Sequence, residues 1–315
     1  MHIYVLKRIL QLIPVLIGIT IITFGLMYLS PSDPASMMLN AQGIAPSPEL
    51  LEQTRHEMGI DAPFWEQYWN WLTGAVTGDF GYSYYYNAQV IDVLIKRLPI
   101  TALLSVCSLA VVLIVSVPLG ILSATHQNKA GDYLIQFFQF FSLSMPSFWF
   151  GLLLIYFFSL RLGLLPSMGY AGAISLILPA IALSFSFMGR LIGQIRIGVI
   201  DELQKPYVTG LLSRGIPFNK VVKRHVIKNA LIPSVTLVGI AFGGMLSGSV
   251  VIETVFSLPG LGFMATAAIT ARDYALVQGY VLLVAVAYVL VNLVVDLSYH
   301  ALNPSIRLGA VNDGD

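Results

Sequence analysis

The chain has 315 residues, of which 57% are hydrophobic and only 10% are charged. Soluble globular proteins carry about 25% charged residues, whereas this chain, with a mean hydropathy of +0.79, lacks the polar surface to cover itself in water. A transmembrane β-barrel is excluded because the apolar runs are long and continuous, and a net charge of +1 favours no nucleic-acid partner. The composition predicts an all-α protein that crosses the membrane several times.

Six apolar runs are long enough to cross a bilayer, which takes about 20 helical residues. They lie near 9–29, 98–124, 134–160, 174–195, 231–256 and 276–300. The first run exceeds the length of a signal-peptide core, so we expect it to be retained as a span. The predicted regions are an N-terminus with the first span over 1–30, a loop region over 31–97, a five-helix core over 98–300 and a tail over 301–315.

The distribution of Lys and Arg predicts the orientation of the spans. If the N-terminus lies inside, 12 of the 17 basic residues fall on the inner side, which places both termini in the cytoplasm. Residues 31–97 then face outward and residues 190–230 face the cytoplasm. In the outer loop, Ser47-Pro48 predicts a helix start, Gly59 its end, and Pro63 the start of a second, aromatic-rich helix.

Several kinds of chemistry are missing from the sequence. It contains no Gly-Lys dipeptide, so a Walker A phosphate loop is excluded, and its five histidines show no HExxH or close-paired metal spacing. We therefore expect no catalytic residue, no metal site and no cofactor held by this chain. Glu253 and Asp296 lie near the ends of apolar runs, where each is either a locally paired boundary residue or part of a substrate path.

The most informative segment runs from residue 207 to residue 233. Gly215 is suited to the left-handed conformation that ends a helix, and Pro217 to the start of the next. In that second helix we expect an apolar face and a basic face. The apolar face would hold Phe218, Val221, Val222 and His225, and the basic face Lys220, Lys223, Arg224 and Lys228. Such a helix lies on a surface, either of lipid headgroups or of a partner.

This segment resembles the EAA loop of ABC importer permeases, the loop that docks into the ATPase subunit. Gly215 and Pro233 stand where that loop has its glycine and a later proline, and Thr209-Gly210-Leu211 occupies the Glu-Ala-Ala position. The resemblance implies a cytoplasmic coupling loop over 200–228. Its implied ATPase-coupling residues are Thr209, Gly210, Leu211, Arg214, Gly215, Ile216, Pro217 and Lys220.

Further motifs in the same order extend the resemblance over nearly the whole chain. They are Pro31-Ser32-Asp33-Pro34, Gly78-Asp79-Phe80-Gly81, Ser144 to Trp149, Glu253-Thr254-Val255-Phe256, Pro259-Gly260-Leu261-Gly262, Arg272-Asp273-Tyr274 and Leu302 to Arg307. The chain thus resembles the first permease of the dipeptide, oligopeptide and nickel class of ABC importers. The resemblance implies a six-helix, type I importer permease in the bacterial inner membrane. It would form half of the pathway with a second permease, beside two cytoplasmic ATPases that hold ATP and Mg, an extracytoplasmic binding protein and membrane lipid.

The substrate path and the substrate stay open at this level. Met145-Pro146-Ser147 breaks the third span, as a packing kink or as part of a path that would also include Glu253. The class carries peptides, nickel and metal–chelate complexes. The aromatic residues of the outer loop would form a headgroup-level belt, a small core, or a rim that receives the binding protein. An ion-coupled secondary transporter is the alternative function, and a membrane scaffold is a third.

Overall fold

The computed structural model describes residues 2–29 and 33–302, and its helical architecture confirms the predicted all-α class. The first elements are α1 (His2–Tyr28), α2 (Pro34–Ala41), α3 (Pro48–Glu57), α4 (Phe64–Thr77), β1 (Tyr82–Ser83), β2 (Ala88–Gln89) and α5 (Val90–Thr125). Then follow α6 (Ala130–Ser144), α7 (Ser147–Leu154), a π-helical stretch (Ile155–Arg161), a 3-10 turn (Ala173–Leu176) and α8 (Ile177–Leu203). The remaining elements are α9 (Pro206–Ser213), α10 (Phe218–Val221), a π-helical turn (Val222–Val226), α11 (Ile227–Ala230), α12 (Ile232–Val255), α13 (Leu261–Ala271) and α14 (Tyr274–Leu302).

Four described helices are long and apolar enough to cross a membrane. They are Val90–Thr125, Ala173–Leu203, Ile232–Val255 and the Tyr274–Val295 part of α14. The pair α6 and α7 with its π-helical extension makes a fifth if it is one bent span, and Ile13–Tyr28 of α1 is apolar but shorter. The count of six spans therefore stays a prediction. Pro31, Ser32, residues 303–315 and the side chain of Asp296 lie outside the described residues.

The described residues form two compact units. The first comprises those of Met1–Ala102 and Leu258–Val289. In this unit α1 packs on α4 through aromatic edges: the Phe24 ring lies 5.5 Å from Phe64 and 5.6 Å from Tyr68, and the Tyr68 hydroxyl is 2.9 Å from that of Thr20. A second core joins α5, α13 and α14 around Leu94, Met264 and Leu276.

The predicted helix boundaries in the loop region are confirmed. The Ser47 hydroxyl accepts a hydrogen bond from the Leu50 amide at 3.2 Å, α3 begins at Pro48, and α4 begins directly after Pro63. The sequence reasoning missed α2. Its signal is Asp33-Pro34, because the Asp33 carboxylate accepts from the Ala35 amide at 3.3 Å and proline suits the first helical position.

A buried carboxylate fastens the β1–β2 hairpin to the turn between α13 and α14. Asp273 accepts from the Ser83 hydroxyl at 2.5 Å and from the Tyr85 and Leu276 amides, both at 3.2 Å. The Tyr84 hydroxyl donates to the carbonyl oxygens of Ala271 and Arg272. Since Asp273 is fully buried, burial raises its pKa despite these donors. The Arg272-Asp273-Tyr274 motif thus has a structural role in this unit.

The second unit comprises the described residues of Leu103–Ser257 and Leu290–Asp315, and α8 lies at its centre. This helix packs against α6, α7 and α12. Small residues allow close approach: a Cβ atom at Gly120 would lie 2.8 Å from Ile195 of α8, and one at Gly151 3.1 Å from Phe256. Any movement of α8 therefore acts directly on three neighbouring helices.

The third predicted span is broken where the sequence indicated. Helix α6 ends at Ser144, α7 begins at Ser147, and the two axes differ by 105°. Pro146 has no amide hydrogen to continue the helix, and it holds the preceding residue in an extended conformation, so Met145 has φ −97° and ψ 126°. Proline predicts the position of the break but not its angle.

Candidate functional site

The predicted coupling residues lie on two short helices joined by a tight turn. Helix α9 ends with Arg214 at the C-cap, and Gly215 follows with φ +78°, donating its amide to the Leu212 carbonyl at 2.9 Å. Pro217 then sits directly before α10. A side chain at Gly215 would be strained at this φ although no atom lies within 4 Å of the ideal Cβ position. The predicted helix–glycine–proline–helix arrangement is confirmed.

One face of the second helix is not as predicted. Val221 and Val222 are buried and the four predicted basic residues are exposed, but Phe218 is 42% exposed and Val226 is fully buried. The π-helical turn Val222–Val226 adds a residue per turn and so rotates the following side chains relative to an α-helix, which brings Val226 into the core. Phe218 lies before that turn, at the start of α10. The assignment of residues to a face at 100° per residue, the α-helical value, is therefore wrong after Val222.

A buried carboxylate fixes this segment to α8. Glu202, 5% exposed at the end of α8, accepts from the Tyr207 hydroxyl at 2.7 Å and from the Asn229 side-chain amide at 3.1 Å. Lys205 completes the cluster with an ion pair of 2.6 Å. Burial and the bond to Glu202 raise the pKa of the Tyr207 phenol. Since Tyr207 opens α9 and Asn229 belongs to α11, one acidic group joins both ends of the segment to α8.

Close backbone packing adds to this attachment. A Cβ atom at Gly198 of α8 would lie 2.9 Å from the Ala230 carbonyl oxygen, so α11 rests directly on the helix. Val208 of α9 is 2% exposed, and Val226 is fully buried. The segment is therefore a packed part of the unit and not a loose loop.

The predicted residues themselves mostly face outward. Thr209, Gly210, Arg214, Gly215, Pro217 and Lys220 are exposed, and Leu211 and Ile216 are half-buried. Beside them, Asn219, Lys220, Lys223 and Arg224 line a shallow basic depression. The structure thus brings all eight predicted residues onto one exposed ridge, which we call the coupling ridge (residues 209–220), with a cationic flank. A ridge of this kind suits docking into a groove with acidic character.

The predicted path residues lie on two elements of the second unit. Met145 and Ser147 are half-buried at the break between α6 and α7, next to the exposed Pro146. Glu253 lies on α12 and its side chain is fully buried. Helix α7 packs against α12.

Sequence reasoning missed a buried ion pair close to the segment. Arg196 of α8 donates from Nε and Nη2 to the two Asp132 carboxylate oxygens at 3.0 and 2.9 Å, and Ser123 of α5 donates to the same carboxylate. The Asp132 side chain is fully buried. An acidic residue in the first turn of an apolar helix and an arginine directly after an apolar run are the signals that could have suggested the pair. It joins α5, α6 and α8 at the ends that the charge distribution predicts to be cytoplasmic.

The described residues contain no group of three or more His, Cys, Asp or Glu side chains arranged to hold a metal ion. Their polar clusters instead connect helices, and the predicted coupling residues lie on an exposed surface.

Two family models match the chain. The model of the binding-protein-dependent transport system inner membrane component matches residues 116–308, and that of the N-terminal part of such membrane components matches residues 1–105. Together the matches include the coupling ridge and the loop region.

Curated relatives and solved structures agree with these matches. The glutathione transport system permease protein GsiC of Escherichia coli strain K12 is 35% identical over 304 residues, covering 96% of this chain and 98% of its own length. GsiC of Shigella flexneri serotype 5b is 34% identical over the same shares. Two inward-facing crystal forms of the MetNI methionine ABC transporter match 67% of this chain and 96% of theirs, with TM-scores of 0.54 and 0.57 at 15% and 17% identity, and so show the fold. The chain therefore belongs to the family of binding-protein-dependent transport system inner membrane components, and it is a transmembrane permease subunit of an ABC importer.

Proposed function

We propose that the coupling ridge is where the permease receives the movement of its ATPase partners. The observation that carries this proposal is the attachment through Glu202, which accepts hydrogen bonds from both Tyr207 and Asn229. A docking element transmits force only if it is rigidly joined to the part that must move. Here the coupling ridge, most of whose residues are exposed, belongs to a segment that is attached to α8 at both ends.

The mechanism follows from the packing of α8. When the ATPases close on ATP, the ridge would be displaced with them, and α8 would move with the ridge because the Glu202 cluster and the Gly198–Ala230 contact resist separation. Helices α6, α7 and α12, which pack on α8, would then shift and switch the pathway between outward and inward access. Interfaces of this kind tend to switch between discrete arrangements.

The assembly that we propose contains this chain, a second homologous permease, two cytoplasmic ATPase subunits and an extracytoplasmic substrate-binding protein, within membrane lipid. ATP and Mg belong to the ATPases, and this chain holds no cofactor and binds no nucleic acid. Both termini lie in the cytoplasm of a bacterium, since 12 of 17 basic residues are then on the inner side.

For the pathway we propose the break at Met145, Pro146 and Ser147, with Glu253 as a buried carboxyl group on α12, the helix against which α7 packs. The supporting observation is the 105° bend, which leaves backbone carbonyls without helical partners where the chain is half-buried. Such carbonyls and hydroxyls bind a polar solute weakly and release it readily.

We propose a peptide-type substrate, with nickel or a metal chelate as the weaker candidate. The relatives named above carry glutathione, a small peptide, in their names. Selection among peptides would belong mainly to the binding protein, which meets the substrate first.

The test of the coupling role is Gly215→Val, with Gly43→Val as its matched control. Both glycines have positive φ, +78° and +74°, and neither has an atom within 4 Å of the ideal Cβ position, so the two variants carry a similar backbone strain of about 1–3 kcal/mol. Only Gly215 lies on the coupling ridge. We expect Gly215→Val to lower co-purification of the ATPases and substrate-stimulated ATP hydrolysis, and Gly43→Val to leave both unchanged.

Equal coupling in the two variants would contradict the proposal and leave the ridge as a lipid-surface feature. Transport by the isolated permease in proteoliposomes, driven by an ion gradient without ATPases, would instead support the secondary transporter.

A further inference from the structure

The first unit contains a cavity of about 470 Å³ that the coupling mechanism does not use. We call it the aromatic cavity. Its walls come from the end of α1, the starts of α2 and α14, the end of α3, and α4 with the β1–β2 hairpin. Cavities of about 300–1,000 Å³ are typical of small-molecule sites, so the aromatic cavity has room for a ligand of a few residues.

The lining combines apolar faces with a pair of opposite charges that contact each other. Phe24, Trp71 and Tyr274 contribute rings, and Arg55 and Asp33 contribute an ion pair in which Nη2 lies 3.0 Å from Oδ2. The two side chains are 44% and 25% exposed, and both residues line the cavity. The Arg55 guanidinium has further N–H donors beyond the one it gives to Asp33, and the Asp33 carboxylate has further acceptor sites.

A polar group inside the lining is left without a partner. The Trp71 indole N–H is buried and has no hydrogen-bond acceptor among the described residues. The neighbouring Gln278 side chain, 7% exposed, brings an amide group to the same cavity.

We propose that the aromatic cavity binds a small zwitterion that carries both an ammonium and an anionic group, with Asp33 and Arg55 as the charge partners and the aromatic rings as its apolar walls. A free peptide of two or three residues and a lipid headgroup with a primary ammonium share this chemistry. The site does not depend on the coupling role, and only the choice of a peptide as probe rests on the proposed function.

The experiment measures binding of trialanine to the purified complete transporter, without ATP and without the binding protein, by isothermal titration calorimetry. N-acetyl-trialanine amide has the same backbone and side chains but neither charge. We expect the zwitterion to bind about tenfold or more tightly than the capped peptide, as charge-assisted contacts require. Equal binding of the two peptides, or no binding of trialanine, would overturn the proposal.

Single substitutions test whether the two charged side chains contact the ligand. Arg55→Gln and Asp33→Asn each remove one charge, and asparagine keeps the cap of α2 because its side-chain oxygen still accepts from the Ala35 amide. The matched controls are His56→Gln and Asp61→Asn, which break a 2.8 Å ion pair in the same region, outside the cavity lining. We expect about tenfold weaker trialanine binding in the first two variants and wild-type binding in the controls. Wild-type binding in the first two would refute the assigned contacts.

A second experiment distinguishes a free peptide from a lipid headgroup as the ligand of the cavity. The titration is repeated in nanodiscs of phosphatidylcholine, whose quaternary ammonium has no N–H donor, and of phosphatidylethanolamine, whose primary ammonium has three. A lower apparent affinity for trialanine in phosphatidylethanolamine identifies the headgroup as the resident ligand. Equal affinity in the two lipids identifies the free peptide.

Discussion

At the scale of single residues, Gly198 in α8 and Gly210 in α9 have opposite surroundings. An ideal Cβ at Gly198 would lie 2.9 Å from the Ala230 carbonyl oxygen, which is backbone and cannot rotate away, whereas at Gly210 no atom lies within 4 Å. Gly210 lies inside α9, where alanine favours the helix by about 1 kcal/mol over glycine. The same substitution should therefore act in opposite directions at the two positions.

We expect Gly198→Ala to lower the melting temperature of the permease in detergent, and Gly210→Ala to raise it slightly. Each variant serves as the control for the other, since both add one methyl group to a helical glycine. If Gly198→Ala proves as stable as Gly210→Ala, the close contact between α8 and α11 is wrong.

The two glycines also differ in whether the sequence alone indicates that they are unusual positions. Gly210 is noticeable because a glycine within a short helical pattern departs from the Glu-Ala-Ala position of the related loop. Gly198 carries no such signal, because its constraint comes from a backbone atom 32 residues further along the chain. Gly215 was predictable for a local reason: a glycine two residues before a proline suits the end of a helix.

At the scale of elements, the fastening of the β1–β2 hairpin to the α13–α14 turn should depend on pH. Burial raises the pKa of Asp273 above its unfolded value of about 3.9. Folding therefore takes up a proton between the unfolded and the folded pKa, so the contribution of Asp273 to stability is greatest below the unfolded value and declines as pH rises through the folded one.

We expect the melting temperature of the wild type, measured relative to Asp273→Asn at each pH, to fall as the pH is raised from about 4 towards 7. Asparagine at 273 does not titrate, so the difference isolates this one group from other carboxylates. Asp79→Asn is the control, since Asp79 lies in an exposed turn, where its carboxylate accepts from the Gly81 amide at 2.9 Å. A pH-independent difference for Asp273→Asn would refute the proton uptake.

Sequence patterns predict some features of the helices and turns but not others. The break at Pro146 was predictable because proline has no amide hydrogen. The π-helical turn at Val222–Val226 has no comparable sequence signature, and it brings Val226 into the core. The Glu202 cluster was equally hidden, since its members Tyr207 and Asn229 are polar residues whose partners depend on tertiary packing.

At the scale of the whole molecule, hydropathy predicts membrane spans better than it predicts helix ends. Helix α5 has 36 residues and is about 54 Å long at 1.5 Å per residue, well beyond the roughly 30 Å of the hydrocarbon core. The apolar run over 98–124 therefore identifies the span but not the helix, which begins eight residues earlier at Val90. Substrate choice is harder still to predict, because in the proposed assembly a separate binding protein meets the substrate first.

The orientation of the chain is the remaining whole-molecule prediction, and single cysteines test it. The native Cys107 is first replaced by alanine, which leaves the chain without a thiol. Cysteines are then placed singly at Asn40, in the loop region, and at Lys129 and Lys220, on the side with the excess of basic residues; all three positions are exposed. Because that excess marks the cytoplasmic side, a membrane-impermeant maleimide should label position 40 in intact cells, and positions 129 and 220 only after the membrane is opened.

Position 129 lies outside the coupling ridge, so it separates protection by the membrane from protection by a docked ATPase. Labelling of position 129 but not of position 40 in intact cells would reverse the orientation and place the coupling ridge outside, where no ATPase could reach it.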